Sequence, residues 1–419
     1  MPVKVRILGS ANRTMQRTGF LKLLAAQTSR VETSSLETLG KQCVQTLLKR
    51  IQLTPPYNES LREYVRLRLT DKIYHDMRKI LLNEKGSIAN ISIELQDLYF
   101  SDNKMPSNVG KLVETDWRRY PYLATNLDLI MPGTYSILTR SLVLLAVTPK
   151  EQIAAFDRYD PNNNPLLMSA EQASVLLYCF IDNDAEIIYR LFKFLTETKA
   201  ETFDERMAGD KLPEIIMEST KSFRNAVLPI EDRKRFDVLE KISRSIAEWK
   251  GKPYTGSGSR EEFIRVRLEP YCDLGLFSKP ERHRFSYSVT PALRKLMANW
   301  NGLDTTDDFL ETSYFKTVAA MNRLRVREAS EEEAKSALLT AGQSLKSTLG
   351  YSPITDVGLL AGVRLLFKHK RILELSRTRS LLRSWQKEAP TVVRFTVDRM
   401  GTLAYVKFIP APNQFKAKV

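Results

Sequence analysis

Apolar residues in this chain recur mostly at helical spacing, interrupted by short alternating runs. From Ser34 to Leu82 the text is helical, broken once at Pro55-Pro56; Leu61, Tyr64, Val65, Leu67, Leu69, Ile73, Met77, Ile80 and Leu81 fall broadly three to four apart. The alternating stretch SIANISIELQDLYF (87–100) reads as a strand. Residues 148–167 give a helix and an Asp-Pro-Asn-Asn-Asn-Pro loop. Ser169 then caps a helix, and Ala185–Thr196 is a second amphipathic one, so 169–196 reads as helix–turn–helix. Polar residues 199–213 read as a linker, and 231–250 as a long helix ending at Gly251. TGSGS (255–259) is a flexible joint before the helix REEFIRVRLEPYC. Ser330 caps an acid-rich helix, with acids in the first turn as the helix dipole favours.

Two stretches repeat one order of parts. In 126–145, Leu127, Leu129 and Ile130 lead into Pro132-Gly133, then Tyr135, Ile137 and Thr139 alternate before a new helix. In 272–296, Asp273–Phe277 leads into a longer, basic turn; Phe285, Tyr287 and Val289 alternate, and Thr290-Pro291 supplies a cap and a proline at the first helical position. A third stretch varies the theme. On a helical wheel, residues 374–388 place Ser376, Arg379, Ser380, Arg383 and Lys387 on one face, and Leu375, Thr378, Leu381, Leu382 and Trp385 on the other. TVVRFTVDRMGTLAYVKFI follows, two alternating strands around a turn at 398–401.

Length and charge narrow the reading. A chain of 419 residues accommodates two to four cores. No apolar run reaches the roughly 20 residues of a membrane-spanning helix, and no secretory leader is read at the start, so no membrane partner and a cytoplasmic location are expected. Cys43, Cys179 and Cys272 are too scattered for a disulfide framework or a zinc knuckle. Lys+Arg 64 against Asp+Glu 49 gives a net +15, which favours a polyanionic partner. Residues 1–31 hold Lys4, Arg6, Arg13, Arg17, Lys22 and Arg30 and no acid. That composition fits an arm on phosphates, an organellar presequence, or a solvated tail. Over 364–394 there are nine Lys/Arg against Glu374 and Glu388. The bland account of that segment is a solvated basic face; the sharper one is contact with DNA.

Segments 115–147, 231–300 and 354–409 resemble the winged helix-turn-helix superfamily, at the level of fold and over less than half the chain. The resemblance implies a mainly α protein with small β-hairpins, several winged-helix-like domains being joined by helical segments. The expected division is a basic arm (1–33), a helical region ending in a winged-helix-like domain (34–147), a helical domain (148–228), a winged-helix-like domain (229–304) and a helical region ending in a basic one (305–419). It implies nucleic-acid contact, with double-stranded DNA expected, through wing bases Lys279, Arg282 and Arg284, recognition-helix bases Arg260, Arg265 and Arg267, and the C-terminal set Lys368, Lys370, Arg371, Ser376, Arg379, Ser380, Arg383 and Lys387. Prokaryotic proteins of this build resemble subunits of defence, restriction, transposition or chromosome-maintenance complexes, so protein subunits are expected as further partners.

Signs of catalysis are few. Phosphate-loop, dinucleotide, zinc-protease and nucleophile-elbow motifs are missing from the sequence. Arg68 with His75, and Arg364 with His369, have the spacing of HEPN-type ribonucleases, but Leu69 and Leu365 stand where a polar residue belongs. Glu248-Trp249-Lys250 with Asp237 carries the letters of a metal-dependent nuclease at a helix end, and Glu94-Leu95-Gln96 lacks a convincing acidic partner. No enzyme, cofactor or metal is therefore expected. The reading is a DNA-binding subunit of a larger complex; the alternative is an adaptor whose winged helices bind protein, favoured by the uncharged turn of PGTYSILT.

Overall fold

The structure is a computed structural model, and it describes residues 4–8, 18–30, 32–35, 38–39, 123–150, 152, 167–198, 201–224, 228, 230–246, 263–279, 286–345, 350–397 and 403–409. In chain order the elements are α1 (Gly19–Thr28), α2 (Thr139–Ala146), α3 (Ala170–Glu197), β1 (Thr202–Asp204), α4 (Glu205–Phe223), α5 (Ile230–Ile246), α6 (Glu269–Asp273), β2 (Phe277–Ser278) and β3 (Ser286–Val289). Then come α7 (Pro291–Trp300), α8 (Thr306–Thr312), α9 (Tyr314–Met321), β4 (Arg327–Glu328), α10 (Glu331–Leu345), β5 (Ser352–Pro353) and α11 (Ile354–Arg364). A π-turn (Leu365–His369), β6 (Arg371–Ile372), α12 (Leu375–Glu388), β7 (Val393–Val397) and β8 (Leu403–Phe408) complete the described chain. The fold is mainly α with a few small sheets. Among the described residues no helix is long and apolar enough to cross a membrane.

The chain forms two units that cut across the expected boundaries: 1–138 with 148–169 and 183–289, and 139–147 with 170–182 and 290–419. The two helices expected within 169–196 are the two halves of α3, joined across a kink at Asp184 (φ −136°, ψ 16°), so that the second begins at Ala185. In the first unit β1, β3 and β2 form an antiparallel sheet in that order, with Phe203 opposite Tyr287 and Phe277 opposite Val289. Its core is aromatic: Phe203 stacks on Tyr287 at 5.5 Å, and Phe192 meets Tyr271 and Phe277 edge-on at 4.9 and 5.6 Å. Of residues 199–213, read as a linker, the described part forms β1 and the start of α4. Thr202–Asp204 is too short to show a period, and Asp204 caps α4 by accepting from the Met207 amide at 2.9 Å. The N-terminal stretch is no free arm where it is described: the Arg6 carbonyl accepts from the Glu186 amide at 3.1 Å, and Arg6 and Lys22 are buried.

In the second unit Thr290 caps α7, its hydroxyl accepting from the Leu293 amide at 3.3 Å with Pro291 at the first helical position. Ser330 and Glu333 open α10 with a reciprocal capping box, at 3.2 and 2.8 Å. The sheet runs β5-β8-β7, all antiparallel, and β4 pairs with β6 in parallel. The two three-stranded sheets therefore share one order, the first strand joined to the third and the helices lying between the first and second. The repeat legible in the fold is thus not 126–145 against 272–296. In 126–145 the expected strand shrinks to one bridge, Ile130 with Ile137, because Asp128, Gly133 and Tyr135 all hold positive φ and keep the chain turning. That stretch also divides between the units at residue 138.

The strand read at 87–100, the helices at 40–82, the loop at 160–165, the joint at 255–259 and the hairpin turn at 398–401 lie outside the described residues.

Candidate nucleic-acid interface

Helix α12 sits where two alternatives meet, core and solvent. Leu375, Thr378 and Leu382 are buried, and Ser380, Arg383 and Lys387 are exposed. Burying the two leucines contributes on the order of 1.5–3 kcal/mol each and fixes which face turns outward. The helix lies close to α11 because Gly358 has no side chain: a Cβ there would stand 2.7 Å from Leu375 Cδ2. Trp385 packs on Phe408 of β8 at 5.7 Å, which seats the hairpin against the helix.

The wheel's basic face is only partly available. Arg379 lays its guanidinium along Glu311, Nε at 3.1 Å from Oε2 and Nη2 at 3.0 Å from Oε1, and Nη2 also donates to Thr355 at 3.1 Å. Such a forked pair holds its arginine against the protein. The Ser380 hydroxyl donates to the Ser376 carbonyl at 3.1 Å, which ties Ser380 to its own helix, and Ser376 is half-buried. Arg383 and Lys387 are exposed, with neither ion pair nor side-chain hydrogen bond among the described residues.

The hairpin adds to this. In register, Val393 and Phe395 share one face with Val406 and Phe408, and Arg394 and Thr396 share the other with Lys407 and Tyr405. Val393 and Val406 are buried, while Arg394, Thr396 and Tyr405 are exposed. Arg394 stands directly opposite Lys407, a like-charge pair that costs stability unless an anion lies nearby. Lys407 lies over the Tyr351 ring at 5.3 Å. A cationic, aromatic sheet face was not singled out from the sequence, although the alternation of TVVRFTV and LAYVKF carries it.

The equivalent bases of the first unit are turned inward. Arg267 is fully buried: its Nη2 donates to Asp184 at 2.8 Å, its Nη1 to the Phe263 carbonyl at 3.1 Å, and it lies 3.9 Å over the Phe263 ring. A guanidinium so placed cannot reach a phosphate, which corrects its expected role on a recognition helix. Arg265 forks onto Glu205, both bonds at 2.7 Å. Lys279 is held by Glu269 and lies over Tyr287 at 5.2 Å, while Tyr287 donates to the same carboxylate at 2.6 Å. The segment read as one recognition helix is helical at 263–265, breaks at a turn over 266–268 and resumes as α6. Arg260, Arg282 and Arg284 lie outside the described residues.

Of the remaining C-terminal set, Lys368 and Lys370 are exposed, and Arg371 pairs with Glu333 at 2.9 Å. Of the residues weighed for catalysis, His369 is exposed at the end of the π-turn and Arg364 is half-buried at the end of α11, where burial lowers its pKa. Asp237 is exposed on α5. His75, Glu94 and Glu248–Lys250 lie outside the described residues. Among the described residues no group of three or more His, Cys, Asp or Glu is placed to hold a metal.

No family model, curated protein or solved structure matches this chain.

Proposed function

We propose that residues 331–409 form a winged-helix module that binds double-stranded DNA, and that the chain is the DNA-binding subunit of a larger nucleic-acid-handling complex. The order α10, β5, α11, α12, β7, β8, with the sheet running first, third, second strand, is that of a winged helix. In such modules the second helix of the helix-turn-helix enters the major groove. Here that helix is α12 and the β7–β8 hairpin is the wing. One observation carries the reading: α12 leaves Arg383 and Lys387 in solvent with no acidic partner among the described residues, whereas Arg265, Arg267 and Lys279 of the equivalent module are all paired with carboxylates. Exposed cations of this kind suit a phosphate backbone, and exposed Arg394 places another on the wing.

The test is a salt-titrated binding measurement on a labelled duplex. Each phosphate contact removed lowers the slope of log K against log salt by about 0.9. The variant R383E/K387E is expected to weaken duplex binding at least tenfold and to reduce the slope by about 2. Undiminished binding by that variant sinks the assignment of α12.

The inward-turned bases of the first unit favour a second reading for that module alone, as an adaptor that docks protein. A stoichiometric partner retained after nuclease treatment supports it, and its loss with the nucleic acid removes it.

A further inference from the structure

The parallel β4–β6 ladder joins two basic segments that are far apart in sequence, NRLRVRE (322–328) and KHKR (368–371). Arg327 pairs with Arg371 in register, and the Arg327 amide donates to the Lys370 carbonyl at 3.3 Å. Two acids lie at the ladder, and both are matched by other bases. Glu328 holds Lys316 and Arg377, each at 3.2 Å, and Glu333 holds Arg371 at 2.9 Å and Arg327 at 3.7 Å. This leaves Arg323, Arg325, Lys368 and Lys370, all exposed. Arg323, Arg325 and Lys368 make no ion pair among the described residues, and the Lys370 ammonium donates only to the Phe367 carbonyl, at 2.9 Å.

The backbone at these cations is unusual as well. Arg323 and Lys370 have φ of +54° and +57°. Each follows the end of a helical segment, where glycine is the common residue because an L side chain is strained there. Lys370 also closes a π-turn, an irregularity frequent at functional sites. Two strained positions both occupied by exposed cations are better explained by a ligand than by stability, which glycine would serve better at each.

We propose that the β4–β6 ridge is a second nucleic-acid site, at which Arg323, Arg325, Lys368 and Lys370 grip the phosphate backbone beside the turn leading into α12. The inference rests on the reading of residues 331–409 as a nucleic-acid-binding module, and adds a contact outside its helix and wing. The occupant is a phosphate backbone rather than an acidic peptide, because the surplus cations outnumber the acids and no apolar socket accompanies them on these two segments.

The experiment compares the full chain with R323G/K370G, R325Q/K368Q and R383E/K387E, by anisotropy of a labelled duplex across a salt titration, with thermal denaturation alongside. R323G/K370G is expected to melt no lower than the parent while binding roughly tenfold more weakly, its salt slope reduced by about 2. R325Q/K368Q, at unstrained positions, is expected to show the same loss. If both ridge variants keep the parent's affinity and slope while R383E/K387E loses them, the ridge proposal is overturned and the α12 reading stands. If only the ridge variants lose binding, the α12 reading falls and the ridge is the site. If no variant changes binding, both are overturned.

Discussion

Arg267 shows at the scale of one residue how a basic side chain is assigned its role by a distant partner. In sequence it alternates with Arg265 ahead of a basic turn, a pattern that reads as a surface base. In the fold it is fully buried against Asp184, the residue that kinks α3, and the Asp184 carboxylate also accepts from the Leu8 amide at 3.0 Å. Burial pushes the Asp184 carboxyl up despite the charge of Arg267. Removing one partner leaves the other charged and buried, at a cost of about 3 kcal/mol or more. R267M is therefore expected to destabilise the protein by that amount in urea denaturation. R267M/D184N should recover at least half of the loss, because it removes both charges and keeps an oxygen for Leu8. An R267M protein as stable as the parent would show that the pair holds nothing. Arg379 makes the same point more gently: the wheel placed it correctly beside Arg383, but Glu311, 68 residues away, has already claimed it.

At the scale of elements, what the sequence could show was decided by period. Helix α12 was legible because fourteen residues give the hydrophobic repeat room to declare a face, and the side chains buried are those the wheel turned inward. The β7–β8 hairpin was legible for the same reason at period two. Strands β1 and β5, of three and two residues, display no period, so both three-stranded sheets were missed as sheets, and with them the true internal repeat. Glycine in α11 was equally silent: Gly358 and Gly362 look like weak points in a helix, yet each is a contact surface. A Cβ on Gly362 would lie 2.3 Å from Phe315 Cζ, and one on Gly358 would press on Leu375 of α12. Helix propensity favours alanine over glycine by about 1 kcal/mol, whereas overpacking costs about 1–3 kcal/mol. For G358A overpacking is expected to win, with a lower melting temperature and weaker duplex binding as α12 is displaced. A G358A protein that melts higher than the parent would mean that the α11–α12 contact yields without cost.

For the whole molecule, the net +15 suggests a protein governed by its surface charge, but two buried groups set a different expectation for pH. In the first unit Lys22 is fully buried, bonded to Gln152 at 2.7 Å and the Leu167 carbonyl at 2.5 Å, and burial lowers its pKa to about 7, against the raising effect of Asp273. In the second unit the buried Glu374 carboxylate accepts from the Phe315 and Lys316 amides at 3.0 and 2.8 Å, capping α9, and burial raises its pKa to about 7 despite those bonds. The signs follow from proton counts. Folded Glu374 holds its proton more tightly than the unfolded chain does, so its contribution is full below pH 4.5 and is lost as pH rises through 7. Folded Lys22 holds its proton less tightly, so its contribution is full above pH 10.5 and is lost as pH falls through 7. The shifts correspond to roughly 3 kcal/mol for Glu374 and roughly 5 kcal/mol for Lys22, and the two losses coincide near neutrality. The melting temperature is therefore expected to pass through a shallow minimum near pH 7 between its values at pH 5 and pH 9. E374Q should flatten the acidic limb and K22M the alkaline one, each leaving the other in place. A melting temperature that peaks at pH 7 in the parent, or that either variant leaves unaltered, would show that these two groups do not control it.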